Sequence, residues 1–185
     1  MFSACTMAIE TIAEAEGPGY KLVVKASPSL CVDPTVSPNL WDFAAKLTVI
    51  NTSGKPFDMI YNEGATAGFT FRADRVADAR DPREGIDYET GPLDPALASV
   101  KRSTLTPGAE RVLTGDPRYI LEPIHMTMRG ERVDGTAAAL DERFDRSFRV
   151  AFAADFTVVQ DGVERRVFEE MPAILRIVVR DVSRE

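Results

Sequence analysis

The residues that could do chemistry in this sequence are few, and most of them stand alone. The one histidine, His125, lies between Ile124 and Met126 in an alternating segment, which places its ring on the opposite face from those two side chains. A zinc site of ordinary type needs several His or Cys ligands, and a Ser-His-Asp triad would have to use His125 alone. Neither a nucleophile elbow nor a phosphate-binding glycine loop is present. The sequence therefore predicts no catalytic residue, no metal site and no cofactor.

Carboxylates are abundant, and a suitable pair of them could hydrolyse a glycosidic bond. That reaction needs two carboxyl groups about 5–10 Å apart across a cleft. The adjacent pairs Asp141-Glu142 and Glu169-Glu170 would point to opposite faces of a strand. The acids within 74–94 do not follow the calcium-loop spacing and have arginine neighbours, which indicates a solvated, salt-bridged loop. An enzyme acting on carbohydrate or through a metal ion is kept only as an alternative hypothesis.

The two cysteines, Cys5 and Cys31, belong to no CxxC motif. We expect two free thiols, with a disulfide as the alternative in an oxidising compartment. The residues FSAC at 2–5 resemble the end of a bacterial lipoprotein signal, so lipidation of Cys5 is the alternative to the expected cytoplasmic location. The glycosylation sequon at 51–53 is interpreted as a chance match.

Length and charge narrow the class of protein. The chain has 185 residues, which suits one domain, and a net charge of -7 with a pI of about 4.9. No Lys/Arg cluster interrupts this acidity, so nucleic acid is not expected as a partner. No apolar run of about 18 residues occurs, so no membrane span is expected.

Apolar and polar residues alternate with a period of two from Tyr20 to Val182, which predicts strands. The clearest run is at 148–158, where alternate positions are Phe, Val, Phe, Ala, Phe and Val, and we expect it to anchor the core. An Asp-Gly hairpin turn follows at 161–162. Further strands are predicted at 20–26, 43–49, 57–61, 69–73, 119–129, 163–168 and 175–179. The predicted fold is an all-β, immunoglobulin-like antiparallel β-sandwich of about eight or nine strands with short peripheral helices.

Two segments favour helix instead. Residues 3–16 are rich in Ala, Glu and Ile and predict a short helix. We therefore assign 1–19 as a tail or docking helix and 20–185 as one sandwich domain. A second short helix is predicted at 136–145.

Two other segments favour irregular structure. Residues 27–40 contain three prolines and predict a polyproline-like or irregular chain. Residues 74–103 are dense in Asp, Arg, Gly and Pro and predict an acidic loop excursion with one helical turn at 95–100.

One set of turns resembles a known family. The segment 49–57, Val-Ile-Asn-Thr-Ser-Gly-Lys-Pro-Phe, precedes Phe-Thr-Phe-Arg at 69–72 and Thr-Leu-Thr-Pro-Gly-Ala-Glu at 104–110. This pattern is similar to that of the BsuPI-type intracellular proteinase inhibitors and other bacterial immunoglobulin-like domains. The resemblance implies a sandwich fold and, as an alternative function, inhibition of a proteinase through an exposed loop at 27–40 or 74–103.

The favoured function is a non-catalytic protein–protein interaction module, acting as an accessory or structural subunit of a larger assembly. Sandwiches without catalytic groups commonly act by presenting loops or edges to other proteins. We expect the partner to be another protein, with the N-terminal helix docking on it. The candidate partner-binding residues lie in the two irregular segments or, for Trp41, directly after the first, and are Pro28, Pro34, Pro38, Trp41, Asp81, Asp87 and Tyr88.

Overall fold

The computed structural model describes residues 8–32, 43, 45–63, 69–70, 75–78, 85–87, 99–114 and 145–179. These residues contain no helix and form twelve strands. In chain order the strands are β1 (Glu10–Gly17), β2 (Tyr20–Ala26), β3 (Ser29–Val32), β4 (Ala45–Asn51), β5 (Phe57–Glu63), β6 (Phe69–Thr70), β7 (Arg75–Asp78), β8 (Gly85–Asp87), β9 (Ser99–Leu105), β10 (Glu110–Thr114), β11 (Asp145–Gln160) and β12 (Val163–Val179).

The strands are arranged in two sheets. Sheet A has the order β1-β2-β4-β10 and is antiparallel throughout. Sheet B has the order β3-β12-β11-β5-β9; β6 and β7 also pair with β11, and β8 pairs with β7. Strand β3 runs parallel to β12. The all-β prediction is confirmed, and among the described strands the pairing is antiparallel except between β3 and β12, which makes sheet B mixed.

Buried side chains from both sheets form one hydrophobic cluster. Tyr20 of sheet A meets Phe156 of sheet B edge-to-face, with ring centroids 6.1 Å apart. The largest fully buried side chains are Phe152, Leu22, Leu30, Leu47, Met59 and Met171. Each such side chain contributes about 1.5–3 kcal/mol to stability, so this cluster is the main apolar support of the fold.

The β11–β12 hairpin is the longest unit of the fold, with strands of 16 and 17 residues. Five alternate positions of the predicted 148–158 strand face the core, namely Val150, Phe152, Ala154, Phe156 and Val158. The turn places Asp161 at φ 53° and Gly162 at φ 78°. Gly adopts this left-handed conformation without strain, and Asp tolerates it. The predicted strand and the predicted turn are both confirmed.

The predicted helix over 3–16 is wrong for the described part of that segment, because residues 10–17 form strand β1. Ala13 and Ala15 of β1 pack against the core. Helix propensity differs by only tenths of a kcal/mol between ordinary residues, so pairing with β2 outweighs it. These residues therefore belong to the sandwich and do not form a docking helix.

The two segments predicted to be irregular contain short strands. Ser29–Val32 is β3, and Leu30 is buried in the core. Strand β7 pairs with β8, and β9 begins at Ser99 where the helical turn was predicted. Strands of three or four residues have too few alternating positions to be recognised in a sequence. The predicted count of eight or nine strands is therefore too low.

Cys31 lies on β3 and is disulfide-bonded, so the prediction of a free thiol is wrong for this residue. Sequence spacing could not show this bond, because a disulfide depends on the approach of two Cβ atoms in the folded chain. The other cysteine, Cys5, lies outside the described residues.

Two predicted elements also lie outside the described residues. They are the strand at 119–129 and the helix at 136–145, except that Asp145 begins β11. Within the part of the chain that is described, no helix is long and apolar enough to cross a membrane.

Candidate interaction surface

Four chain connections meet at one end of the sandwich, and Asn51 lies among them. We call residues 17–20, 51–57, 105–110 and 160–163 the turn cluster. Thr52 N–H donates to the carbonyl of Gly19 at 3.1 Å, and Asn51 N–H donates to the carbonyl of Ala109 at 3.0 Å. Lys55 Nζ pairs with Asp161 at 2.8 Å. Contacts between all four connections thus fix this end of the molecule.

The Asn51 side chain is 1% exposed and is fully hydrogen-bonded. Its Nδ2 donates to the carbonyls of Leu105 at 2.8 Å and Lys55 at 2.9 Å. Its Oδ1 accepts from the backbone N–H of Ser53 at 2.8 Å and from the Ser53 hydroxyl at 2.7 Å. Two donors and two acceptor positions are all that an Asn amide has. The amide is therefore structural, and its burial keeps the sequon inaccessible in the folded chain.

The turn motifs that carry the family resemblance contact one another in this cluster. Gly108 N–H donates to the Asn51 carbonyl at 2.8 Å, beside the bond from Asn51 to Ala109. These residues thus join two connections that are distant in the sequence. These hydrogen bonds are made within the fold, so the motifs account for architecture and not for recognition.

A cleft of about 330 Å³ opens at the turn cluster. Its polar walls are held by their own hydrogen bonds. Gln160 Nε2 donates to Ser53 Oγ at 3.1 Å, and Arg165 Nη2 donates to the Pro18 carbonyl at 2.6 Å. A prepared ligand site needs polar groups aimed at the ligand. Here those groups are aimed at each other, so we do not assign a ligand to this cleft.

Two tyrosines join the sheets through polar contacts. Tyr20 of sheet A donates its hydroxyl to Glu169 of sheet B at 2.9 Å, and burial together with this acceptor raises the pKa of Tyr20 to about 12. Tyr61 of sheet B accepts from Arg111 Nη2 of sheet A at 2.7 Å. The Arg111 guanidinium also lies 5.7 Å from the Tyr61 ring centroid. These side chains hold the two layers together.

Strand β12 carries exposed apolar side chains on its outer face. Its core-facing residues are Val167, Met171, Ala173 and Leu175. On the opposite face Phe168 is 43% exposed, Ile174 is 59% exposed, and Pro172 between them is also exposed. We call these three residues the outer stripe. Because a strand advances about 3.3 Å per residue, the outer stripe is about 20 Å long.

Small and charged side chains border the outer stripe. On β11, Ala151 lies opposite Pro172 and Asp155 lies opposite Phe168. Arg166 binds Asp155 through two hydrogen bonds, from Nε at 3.0 Å and from Nη2 at 2.8 Å. An apolar centre with a polar, charged rim is the usual anatomy of a protein interface.

Most of the sequence-predicted partner-binding residues lie outside the described part of the chain, namely Pro34, Pro38, Trp41, Asp81 and Tyr88. Pro28 precedes β3, and its carbonyl accepts the N–H of Arg176 at 2.9 Å, so it helps join β3 to β12. Asp87 ends β8. The structure does not bring Pro28 together with Asp87, and the binding role of all seven residues stays a prediction.

Sequence reasoning missed the outer stripe because 163–168 and 175–179 were taken as separate strands. In one continuous strand, Met171, Ala173 and Leu175 share one parity while Phe168 and Ile174 share the other. Two large apolar residues at the outward parity were the signal that could have found it.

No protein-family model and no curated protein sequence matches the chain.

Proposed function

We propose that this chain is a non-catalytic protein–protein interaction module, an accessory or structural subunit that binds its partner through the outer stripe. The observation that carries the proposal is the alignment of exposed Phe168, Pro172 and Ile174 on one face of β12. A single exposed apolar residue is ordinary on a protein surface, whereas apolar residues grouped on one face are typical of a binding site. Exposed Glu170 lies between Phe168 and Pro172 on this face, so the apolar surface contains one carboxylate.

The proposed contact would combine apolar and charged groups. Aromatic residues are enriched in energetically dominant interface positions, so Phe168 is the expected anchor. A stable interface covers about 800 Å² per partner, which is more than three side chains provide. The Arg166–Asp155 pair at the edge of the stripe and Glu170 within it would therefore supply polar contacts.

An immunoglobulin-like assignment belongs to the same proposal. Its support is the packing of two sheets around one core, together with the turn motifs that meet at Asn51. As for location, the disulfide bond of Cys31 favours an oxidising compartment over the cytoplasm, because cytosolic thiols are kept reduced. Thiol titration of the protein, purified from its host and then unfolded without reductant, tests for the disulfide bond. Two reactive thiols per chain would contradict an oxidising location.

Co-purification from the native host tests the binding function. The full-length tagged chain is compared with a Phe168→Asp/Ile174→Asp variant, and proteins retained by each are quantified by mass spectrometry. Val163→Asp is the matched control, because Val163 is 67% exposed on the same strand but lies at the hairpin turn. We expect the double variant to lose a partner that the control retains, since a buried carboxylate in an apolar contact is costly.

Folding of each variant is checked by circular dichroism and urea unfolding. Retention of the same partners by a folded double variant, at the wild-type amount, would contradict the proposal.

A further inference from the structure

Two lysines face each other on the outer side of sheet A, away from the outer stripe. Lys25 of β2 is directly opposite Lys46 of β4 in the strand register. Their chain neighbours Val24, Ala26 and Leu47 point into the core, so both lysines project outward and are exposed. Thr11 of β1 is opposite Lys25, and Thr114 of β10 is opposite Lys46. We call Thr11, Lys25, Lys46 and Thr114 the lysine row.

Three other cations on the sheet faces have a carboxylate on the adjacent strand. Lys21 pairs with Glu14 at 3.0 Å, Arg102 with Asp58 at 2.6 Å, and Arg166 with Asp155 at 2.8 Å. Within the described part of the chain, Lys25 and Lys46 have neither an ion pair nor a hydrogen bond from their ammonium groups.

Direct opposition of like charges weakens a pair of strands, whereas an opposite charge strengthens it. The fold would therefore gain stability from an acid at either lysine position. The chain carries a net charge of -7, so acids are not scarce in its composition. Two unmatched ammonium groups on adjacent strands instead create a local positive site on an acidic protein.

From this juxtaposition we infer that the lysine row binds an acidic segment of a protein partner. Adjacent strands are about 4.8 Å apart, so the two ammonium groups can contact successive carboxylates or share one carboxylate. The neighbouring row contains Val112, which is 46% exposed, and this offers an apolar contact beside the charges. An acidic peptide that also carries an apolar side chain can use both contacts, whereas a polyphosphate has no apolar group to place on Val112.

This contact is separate from the outer stripe, because the two lie on the outer sides of different sheets. A variant that no longer binds through one of these surfaces can therefore still be tested for binding through the other.

Titration of the full ¹⁵N-labelled chain with a hexaglutamate peptide at low salt, followed by amide chemical shifts, tests the inference. We expect the largest changes at 24–26, 45–47 and 112–114. A Lys25→Gln/Lys46→Gln variant should bind about tenfold more weakly, because two charge contacts are lost. The control is Lys55→Gln, whose wild-type ammonium is paired with Asp161; it should bind as the wild type does.

Inorganic phosphate and vesicles of phosphatidylglycerol are titrated in parallel. An absence of shifts at the lysine row, or equal shifts in the double variant, would overturn the inference. So would phosphate or vesicles that produce the same shifts at a lower anion concentration than the peptide, since these would identify a small-anion or lipid site.

Discussion

Two phenylalanines of the β11–β12 hairpin show how differently its faces are used. Phe152 on β11 is 0% exposed and belongs to the core, whereas Phe168 on β12 is 43% exposed on the outer side of the same sheet. Both are part of one regular antiparallel register. The residue type is therefore a poor guide to its role, and strand parity decides it.

Other side chains follow the same division between inward and outward faces. The inward-facing amide of Asn51 and the hydroxyl of Tyr20 are hydrogen-bonded within the fold. On the outward faces, Phe168 and Ile174 present apolar surface, and Lys25 and Lys46 lack counter-ions in the described part of the chain. Inward groups thus stabilise the sandwich, whereas these outward apolar and ammonium groups lie on exposed surface.

Truncation of the two phenylalanines tests the comparison most strongly. Phe152→Ala should lower the free energy of unfolding by about 3–5 kcal/mol, because it leaves a cavity in the core. Phe168→Ala should lower it by less than about 1 kcal/mol, because water already reaches that ring. Urea unfolding measures both, and equal losses would remove the distinction between the faces.

Asn51→Ala should have the next largest effect. It leaves the buried carbonyl of Leu105 without its side-chain donor and breaks the link to Ser53, so we expect a loss of about 2–4 kcal/mol. The matched control is Asn62→Ala, since Asn62 is exposed on β5. A change within about 0.5 kcal/mol is expected there. Similar values for the two variants would show that the turn cluster is not a structural centre.

Tyr20→Phe should cost about 0.5–1.5 kcal/mol by removing the hydrogen bond to Glu169. The Tyr20 pKa is raised from 10.0 to about 12 in the folded chain, so the protonated phenol favours folding. The stability that comes from this pKa difference is fully present below pH 10 and is lost as the pH rises towards 12. Urea unfolding from pH 8 to pH 12 should thus show a smaller decline for Tyr20→Phe than for the wild type or Tyr61→Phe. An equal decline would contradict the role of Tyr20.

The smallest expected effect is a gain. Lys25→Glu should stabilise the chain by about 0.2–1 kcal/mol, because it places a carboxylate opposite Lys46. The same variant should bind hexaglutamate less well than the wild type. A destabilised Lys25→Glu protein would show that the lysine pair does not oppose folding.

The sequence was sufficient to predict long strands and turns that depend on a local residue pair. The 148–158 alternation spans enough positions to identify a buried strand, and the Asp-Gly pair at 161–162 identifies its turn. It was insufficient for β1, where pairing with β2 overrides helix propensity, and for β3, which has only four residues. The outer stripe required the knowledge that β12 is continuous, and the lysine row required the register between β2 and β4. Such pairings join distant residues, so no local pattern specifies them.

The central proposal is that one face of the β11–β12 hairpin packs in the core while the other face binds a partner. Hydroxyl-radical footprinting of the chain, alone and in its native complex, tests this claim directly. We predict that oxidation of Phe168 falls several-fold in the complex, while Val163 is oxidised equally in both states and Phe152 is protected in both. Equal oxidation of Phe168 with and without the partner would contradict the account.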